Sequence, residues 1–269
     1  MGRAGTALVA ALALACAGAT ERSIPSTLRI LVYNIHAGKD AAGRENLERV
    51  ARLVREQDVD VALFQEVDRG TERSGGVDQP AELAHLTGFH VAFGKTLDYQ
   101  GGEYGLAVLS RWPIEADTLH PLPVHPPQER AGGSREPRGG LAVRIRSPWG
   151  PVLVIDTHLD PSAEDTWRLQ EVARLRKIAG RAAAGAPVLI GGDLNAEPES
   201  AVVTELNAAR WRDAWAHCGS GPGLTYPAGE PVKRIDYLLL PDGMSCRSAD
   251  VLATDPSDHR PVLFVLEPS

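Results

Sequence analysis

Asp193 and Asn195 stand two positions apart behind a short apolar run, in "PVLIGGDLNAE" (187–197). Both residue types make turns, because their side chains hydrogen-bond nearby backbone and tolerate left-handed dihedrals. Alone, the pair reads as a turn, and the rest of the chain changes that reading. Asn34 ends one apolar run, Glu66 ends a second, and His158 and Asp160 close "VIDTHLD" (154–160). Asp236 lies inside "RIDYLLL" (234–240), and Asp258 and His259 precede the final run in "SDHRP" (257–261). An aspartate within an apolar strand needs a partner, and an imidazole is the obvious one for Asp236. Carboxylates, amides and imidazoles therefore recur at one kind of place. If those segment ends converge, they build a single carboxylate-rich pocket.

Clustered carboxylates and an amide oxygen are hard ligands suited to Mg²⁺ or Mn²⁺, which keep several waters and act on phosphate oxygens. A metal neutralises charge on a phosphoryl group, while imidazoles hydrogen-bond the same charge or move a proton. Asp193 and Asn195, alternate residues leaving a strand, can point the same way and hold an attacking water. The implied chemistry is hydrolysis of a phosphate ester. Each residue alone has an ordinary structural role: Glu66 as a solvated strand end, His158 as a hydrogen-bonded imidazole, Asn34 as a turn cap. Their ordered joint appearance carries the functional reading.

Regular elements must position these residues. "LRILVYN" (28–34) reads as a strand, and "RENLERVARLVREQD" (44–58) sets Leu47, Val50, Ala51 and Val54 at helical spacing. "VDVALFQE" (59–66) is a second buried strand, so the chain opens on a β-α-β unit. Further strands are expected at 89–94, 104–110, 141–147, 151–159, 187–192, 234–240 and 261–267. A long helix is expected over 162–183, its apolar side supplied by Trp167, Leu169, Val172, Leu175 and Ile178. Strands greatly outnumber long helices, which fits two packed sheets flanked by helices. The Pro- and Gly-rich stretch 120–140 reads as a long surface segment, and loops of that length are often functional.

The 269 residues suffice for a sizeable core, and a formal charge of -7 removes any global pull toward nucleic acid or an anionic membrane. No run of lysines and arginines interleaved with aromatics marks a nucleic-acid groove. Residues 1–20 combine Arg3, an apolar run from Ala7 to Ala15 and small residues, the pattern of an export signal. Cys16 behind "ALA" also suits lipidation and anchoring at a membrane surface, although Ala13 stands where such signals usually carry leucine. Secretion and lipid anchoring remain equal alternatives. Residues 21–27 form a polar linker and 28–269 one domain. Cys218 and Cys246 remain in the globular part, and their spacing leaves pairing open.

The succession "YNIH" (33–36), "FQEVD" (64–68), "YGLAVLSRWPI" (104–114), "THLD" (157–160), "GGDLNAEP" (191–198), "RIDYLLL" (234–240) and "SDHRPV" (257–262) resembles the endonuclease/exonuclease/phosphatase superfamily. The resemblance runs from about Leu28 to Glu267. It implies a four-layered α/β sandwich in which two mostly antiparallel β-sheets pack face to face between helices. It further implies that Glu66 is the principal Mg²⁺ ligand, with Asn34 and Asp258 nearby, and Mn²⁺ as a possible substitute. His259 would meet the scissile phosphate or transfer a proton, oriented by Asp236. Asp193 and Asn195 would position or activate the water, with Gly191 and Gly192 allowing a tight turn there, and His158 would stabilise the transition state. Arg138 in "EPRGG" and Tyr104 would contact substrate phosphate. His36 stands where some nucleases of the family carry an aspartate, which weakens a second carboxylate-bound metal; it either ligates a softer ion or hydrogen-bonds Glu66.

"YNIHAG", "ERSGGVDQ" (72–79) and "GGEYGLAVLSR" (101–111) look most like bacterial members related to sphingomyelinases and GPI-anchor-remodelling proteins. The resemblance implies a phosphodiesterase acting on a phospholipid head group or another small phosphodiester, and the signal in residues 1–20 implies an exported one, secreted, periplasmic or lipid-anchored; a monomer is expected. A secreted nuclease acting on nucleic acid is the alternative, and a binding protein without catalysis the third.

Overall fold

A computed structural model describes residues 1–2, 26–182, 185–208 and 210–267. Residues 3–25, which hold Cys16 and all but the first two residues of the expected export signal, lie outside the described residues. The elements are β1 (Leu28–Asn34), α1 (Leu47–Glu56), β2 (Val61–Arg69), α2 (Gln79–Thr87), β3 (His90–Tyr99), β4 (Gly102–Ser110), β5 (Ile114–Pro121), β6 (Gly139–Ser147), β7 (Gly150–His158), α3 (Thr166–Ala182), β8 (Val188–Asp193), α4 (Ala201–Asn207), β9 (Trp211–Asp213), α5 (Ala214–Cys218), β10 (Asp236–Pro241), β11 (Ser245–Val251) and β12 (Val262–Glu267).

Two sheets of six strands form, in the orders β11-β12-β1-β2-β4-β3 and β5-β6-β7-β8-β10-β9. Each sheet has one parallel pair, β1–β2 in the first and β7–β8 in the second, and its other pairs are antiparallel. Parallel neighbours need a crossover, usually a helix; α1 makes it in one sheet and α3 in the other. The molecule thus contains two β-α-β units facing each other.

Strand alternation builds the layers. Ile30, Val32, Leu63 and Val108 meet Val143, Val154, Leu189 and Leu238 between the sheets. The opposite faces carry Leu31, Tyr33 and Phe64 against Val50 and Val54 of α1 and Leu83 of α2. On the far side Ile155, Ile190 and Leu239 pack under Val172 and Leu175 of α3 and Val202 and Leu206 of α4. Central strands buried on both faces read as continuous apolar runs, which is why they were legible.

The expected strands and the two long helices are present, with shifted ends. Six elements were not anticipated: β5, β9, β11, α2, α4 and α5. β5 and β11 are edge strands with largely exposed, polar-rich sequences, and the remaining four are short. Cys218 and Cys246 form a disulfide, with 5.7 Å between their Cα atoms, that ties α5 to β11.

Candidate active site

The carboxyl ends of the two parallel pairs open on the same side. Asn34 ends β1 and faces Asp193, the last residue of β8, across the inter-sheet space: its Nδ2 donates to Asp193 Oδ2 at 3.2 Å and to Glu66 Oε1 at 3.0 Å. The backbone N–H of His36 donates to Asn34 Oδ1 at 3.1 Å, which fixes the amide so that its nitrogen faces the two carboxylates. Asn34 therefore bridges Glu66 to Asp193 instead of turning its oxygen toward them.

Glu66 reaches this point through an irregularity in β2. Phe64 pairs with Ala107 and Val67 with Gly105, so Gln65 and Glu66 together oppose one residue of β4, and Glu66 adopts φ 57°. Bulges of this kind re-aim side chains beside functional sites. Glu66 stays half-buried at the cavity wall.

The two imidazoles come from different sheets: His158 ends β7 of the second, and His259 lies in the loop that leads into β12 of the first. Asp236 opens β10 directly opposite Asp193, and Asp236 Oδ2 lies 3.0 Å from His259 Nδ1. His259 Nε2 then points toward Asp193 Oδ2, 3.6 Å away, and His158 Nε2 approaches the same oxygen at 3.5 Å. Asn195 (φ 46°) turns back so that its Nδ2 donates to Leu159 O at 2.9 Å and lies 3.1 Å from His158 Nε2. Its backbone N–H donates to Asp193 Oδ1 at 2.9 Å. The tight turn belongs to Asn195, since Gly191 and Gly192 lie inside β8. A Cβ on Gly192 would fall 1.8 Å from Thr157 O, so this glycine permits close strand approach, which corrects the expected turn role.

Burial and charge give the two imidazoles opposite states. Burial works against the charged form of His259, but Asp236 and Asp193 outweigh it and hold the ring at about 10. His158 is pushed well below the ordinary histidine range by burial, reinforced by the positive charges of Arg138 and His259. Burial raises Asp193 to about 7 against the pull of His259. At neutral pH the site thus holds one imidazolium, one neutral imidazole and a carboxylate near its midpoint. Such divergent environments mark acid–base roles.

These groups line a cavity of about 790 Å³ that includes Glu66, Arg138, His158, Asp193, Asn195, Asp258 and His259. Asp236 does not line the cavity and sits behind His259. Arg138 reaches the wall from a buried position, its Nη1 2.9 Å from Glu136 Oε1. Tyr104 does not line this cavity: it is 2% exposed, with its ring under the Arg73 guanidinium 5.2 Å away. Direct contact with substrate phosphate is therefore corrected to a place beneath the floor. His36 makes no hydrogen bond to Glu66; its Nδ1 lies 3.8 Å from Asp258 Oδ1. Asp160 is buried and caps loops, accepting from the backbone of Ser162 and Arg135. Glu136 was missed by sequence reasoning. It is fully buried, accepts from Gly132 N–H as well as pairing with Arg138, and is pushed up to about 7 by burial. Its place in a polar, glycine-rich loop gave no periodic signal.

A model of the Endonuclease/Exonuclease/phosphatase family matches residues 31–259. The chain belongs to that family. Uncharacterized protein YbhP of Escherichia coli (strain K12) is 27% identical over 249 residues, spanning 88% of this chain and 94% of its own. An endonuclease/exonuclease/phosphatase from Beutenbergia cavernae DSM 12333 superposes with TM-score 0.72 at 24% identity, over 90% of this chain and 72% of that one. The mannosyl-6-phosphatase Bt3783 of Bacteroides thetaiotaomicron VPI-5482 gives TM-score 0.72 at 16% identity, over 89% and 99%. These structural likenesses establish the fold, and family membership makes the chain a hydrolase of phosphoester bonds.

The family typically uses a divalent metal, and the donor set fits one. Ligand atoms of Asp193, Asp236 and His259 lie within 4.8 Å of one another, and Asp236 Oδ1 is buried without a hydrogen-bond partner. In that triad, however, the His259 imidazolium already offsets part of the carboxylate charge. Glu66 and Asp258, half-buried and facing the cavity, offer hard oxygen donors without that compensation.

Proposed function

We propose that the protein is a divalent-metal-dependent phosphodiesterase for a phospholipid-type or other small phosphodiester, allied to the sphingomyelinase-like and GPI-anchor-remodelling branch. The observation that carries this reading is the convergence of Glu66, His158, Asp193, Asn195, Asp258 and His259 on one cavity whose rim is acidic. Glu197 and Glu199 are exposed on that rim. Of its cations, Arg138 is tied to Glu136 and Arg168 to Asp165 at 2.7 Å, while Lys233 alone has no ion-pair partner among the described residues. A polynucleotide track needs several phosphate-neutralising cations, so this lining favours a compact substrate.

In the reaction, Asp193, near its midpoint, accepts a proton from the water that Asn195 positions. His259, held charged by Asp236, binds the phosphoryl oxygen and delivers a proton to the leaving oxygen. Neutral His158, its Nε2 3.1 Å from Asn195 Nδ2, helps to hold that amide in place. Mg²⁺ held by Glu66 and Asp258 would supply further charge neutralisation on the phosphate. The Cys218–Cys246 bridge supports export, because disulfides persist in oxidising compartments; anchoring through Cys16 is part of the same proposal.

The test is hydrolysis of sphingomyelin, phosphatidylinositol, bis-p-nitrophenyl phosphate, mannose 6-phosphate and plasmid DNA side by side, with Mg²⁺ and with His259→Ala as the blank. Turnover of lipid or small diesters without DNA nicking is expected. Nicking lost in the mutant would make the protein a nuclease, and turnover confined to the monoester would make it a phosphatase.

A further inference from the structure

Glu66 sits in a backbone conformation that costs a non-glycine residue about 1 kcal/mol or more, so something must hold it. β1 ends at Asn34, whose partner on β2 is Gln65. Beyond that point β2 keeps β4 on one side, pairing Asp68 with Tyr104 and Arg69 with Glu103, but has lost its β1 neighbour. The backbone N–H of Asp68 would lack an acceptor there, and buried orphan donors are costly.

The side chain of Gln79, 2% exposed at the start of α2, fills this place. Its Oε1 accepts from Asp68 N–H at 2.9 Å, and its Nε2 donates to Ala37 O at 2.7 Å. His36 and Ala37 are themselves left-handed, at φ 49° and 53°, in the turn that follows Asn34. One amide therefore spans the two strained segments that bracket Glu66 and Asn34. The fit is close: a Cβ on Gly38 would lie 2.9 Å from Gln79 Nε2. Asp68 is fastened again from the same segment, by Arg73 through Nε at 2.7 Å and Nη2 at 2.8 Å and by the Thr71 hydroxyl at 2.8 Å.

We propose that Gln79 is a positioning residue that sets the spacing of the Glu66 strand and the Asn34–Gly38 turn, and through them the divalent-cation site. This rests on the reading of Glu66 as a metal ligand. It also gives "ERSGGVDQ" a physical role: Arg73 and Gln79 brace the strand behind Glu66, and the intervening residues carry the chain from one to the other.

The experiment is Mn²⁺ binding by paramagnetic resonance, with melting temperature and kcat and KM for bis-p-nitrophenyl phosphate, on wild type, Glu66→Gln, Gln79→Met and Gln79→Glu. Gln79→Met loses both hydrogen bonds; Gln79→Glu keeps the acceptor for Asp68 and loses the donor to Ala37. The expected result is Mn²⁺ affinity lowered about tenfold in Gln79→Met, less in Gln79→Glu, with kcat falling and KM nearly unchanged. If Gln79→Met does not fold, Gln79→Glu decides on the same criterion. A merely structural Gln79 would lower the melting temperature and leave Mn²⁺ affinity and kcat of the folded protein intact, which overturns the proposal. Mn²⁺ bound by wild type, lost in Glu66→Gln and unchanged in the Gln79 variants overturns this inference alone. No Mn²⁺ binding by wild type, or full binding by Glu66→Gln, overturns it together with the metal reading.

Discussion

The two β-α-β units use the same topological position for different chemistry. At the β1–β2 end, Asn34 and Glu66 stand at a bulge and a left-handed turn, Glu66 half-buried and open to the cavity. At the β7–β8 end, His158 and Asp193 are almost fully buried, and β10 brings Asp236 up behind His259. The first edge offers accessible hard oxygens and the second a desolvated, internally compensated set of proton-carrying groups. Burial decides the difference: it strengthens the electrostatics of the second edge and would penalise unpaired carboxylates at the first.

The largest effects should come from breaking the buried edge. His259→Ala is expected to lower kcat by about 10³-fold or more, with the fold kept, since it removes both a charge facing the phosphoryl group and a proton donor. A variant with near-full turnover in a steady-state assay would remove His259 from the mechanism. Asp236→Asn should cost about 10²-fold or more and lower the His259 pKa from about 10, read by imidazole proton NMR; an unmoved titration would show that Asp236 does not set the charge. Breaking the open edge should be reversible. Chelation is expected to abolish turnover and Mg²⁺ or Mn²⁺ to restore it, whereas full activity in excess chelator contradicts a metal at Glu66.

The smallest effect concerns stability. Glu136 ionises near 4.5 when unfolded but is held up to about 7 by burial in the folded protein. Between those values the folded state binds more protons, so this group makes stability fall as pH rises. Glu136→Gln should flatten the melting-temperature profile between about pH 4.5 and 7; an unchanged slope would place the titration elsewhere.

The buried edge was the more legible from sequence. Asp236 inside an apolar strand demanded a partner and has His259, and His158, Asp193 and Asn195 follow runs whose two buried faces made the strands plain. The open edge was less so, because its geometry depends on positive-φ turns and a bulge that periodicity does not encode. His36 accordingly meets Asp258 and not Glu66, and Tyr104 lies beneath the floor because Arg73 and the β4 ladder hold it there. β5 and β11 escaped notice as edge strands with polar, exposed residues, and Glu136 and Gln79 because their roles come from long-range contacts to backbone.

The most direct test of the division between the edges is Mn²⁺ binding by Glu66→Gln against His259→Gln. The account predicts that Glu66→Gln loses the ion and His259→Gln keeps it while losing turnover. Retention by Glu66→Gln with loss in His259→Gln would place the metal among Asp193, Asp236 and His259 and contradict the assignment.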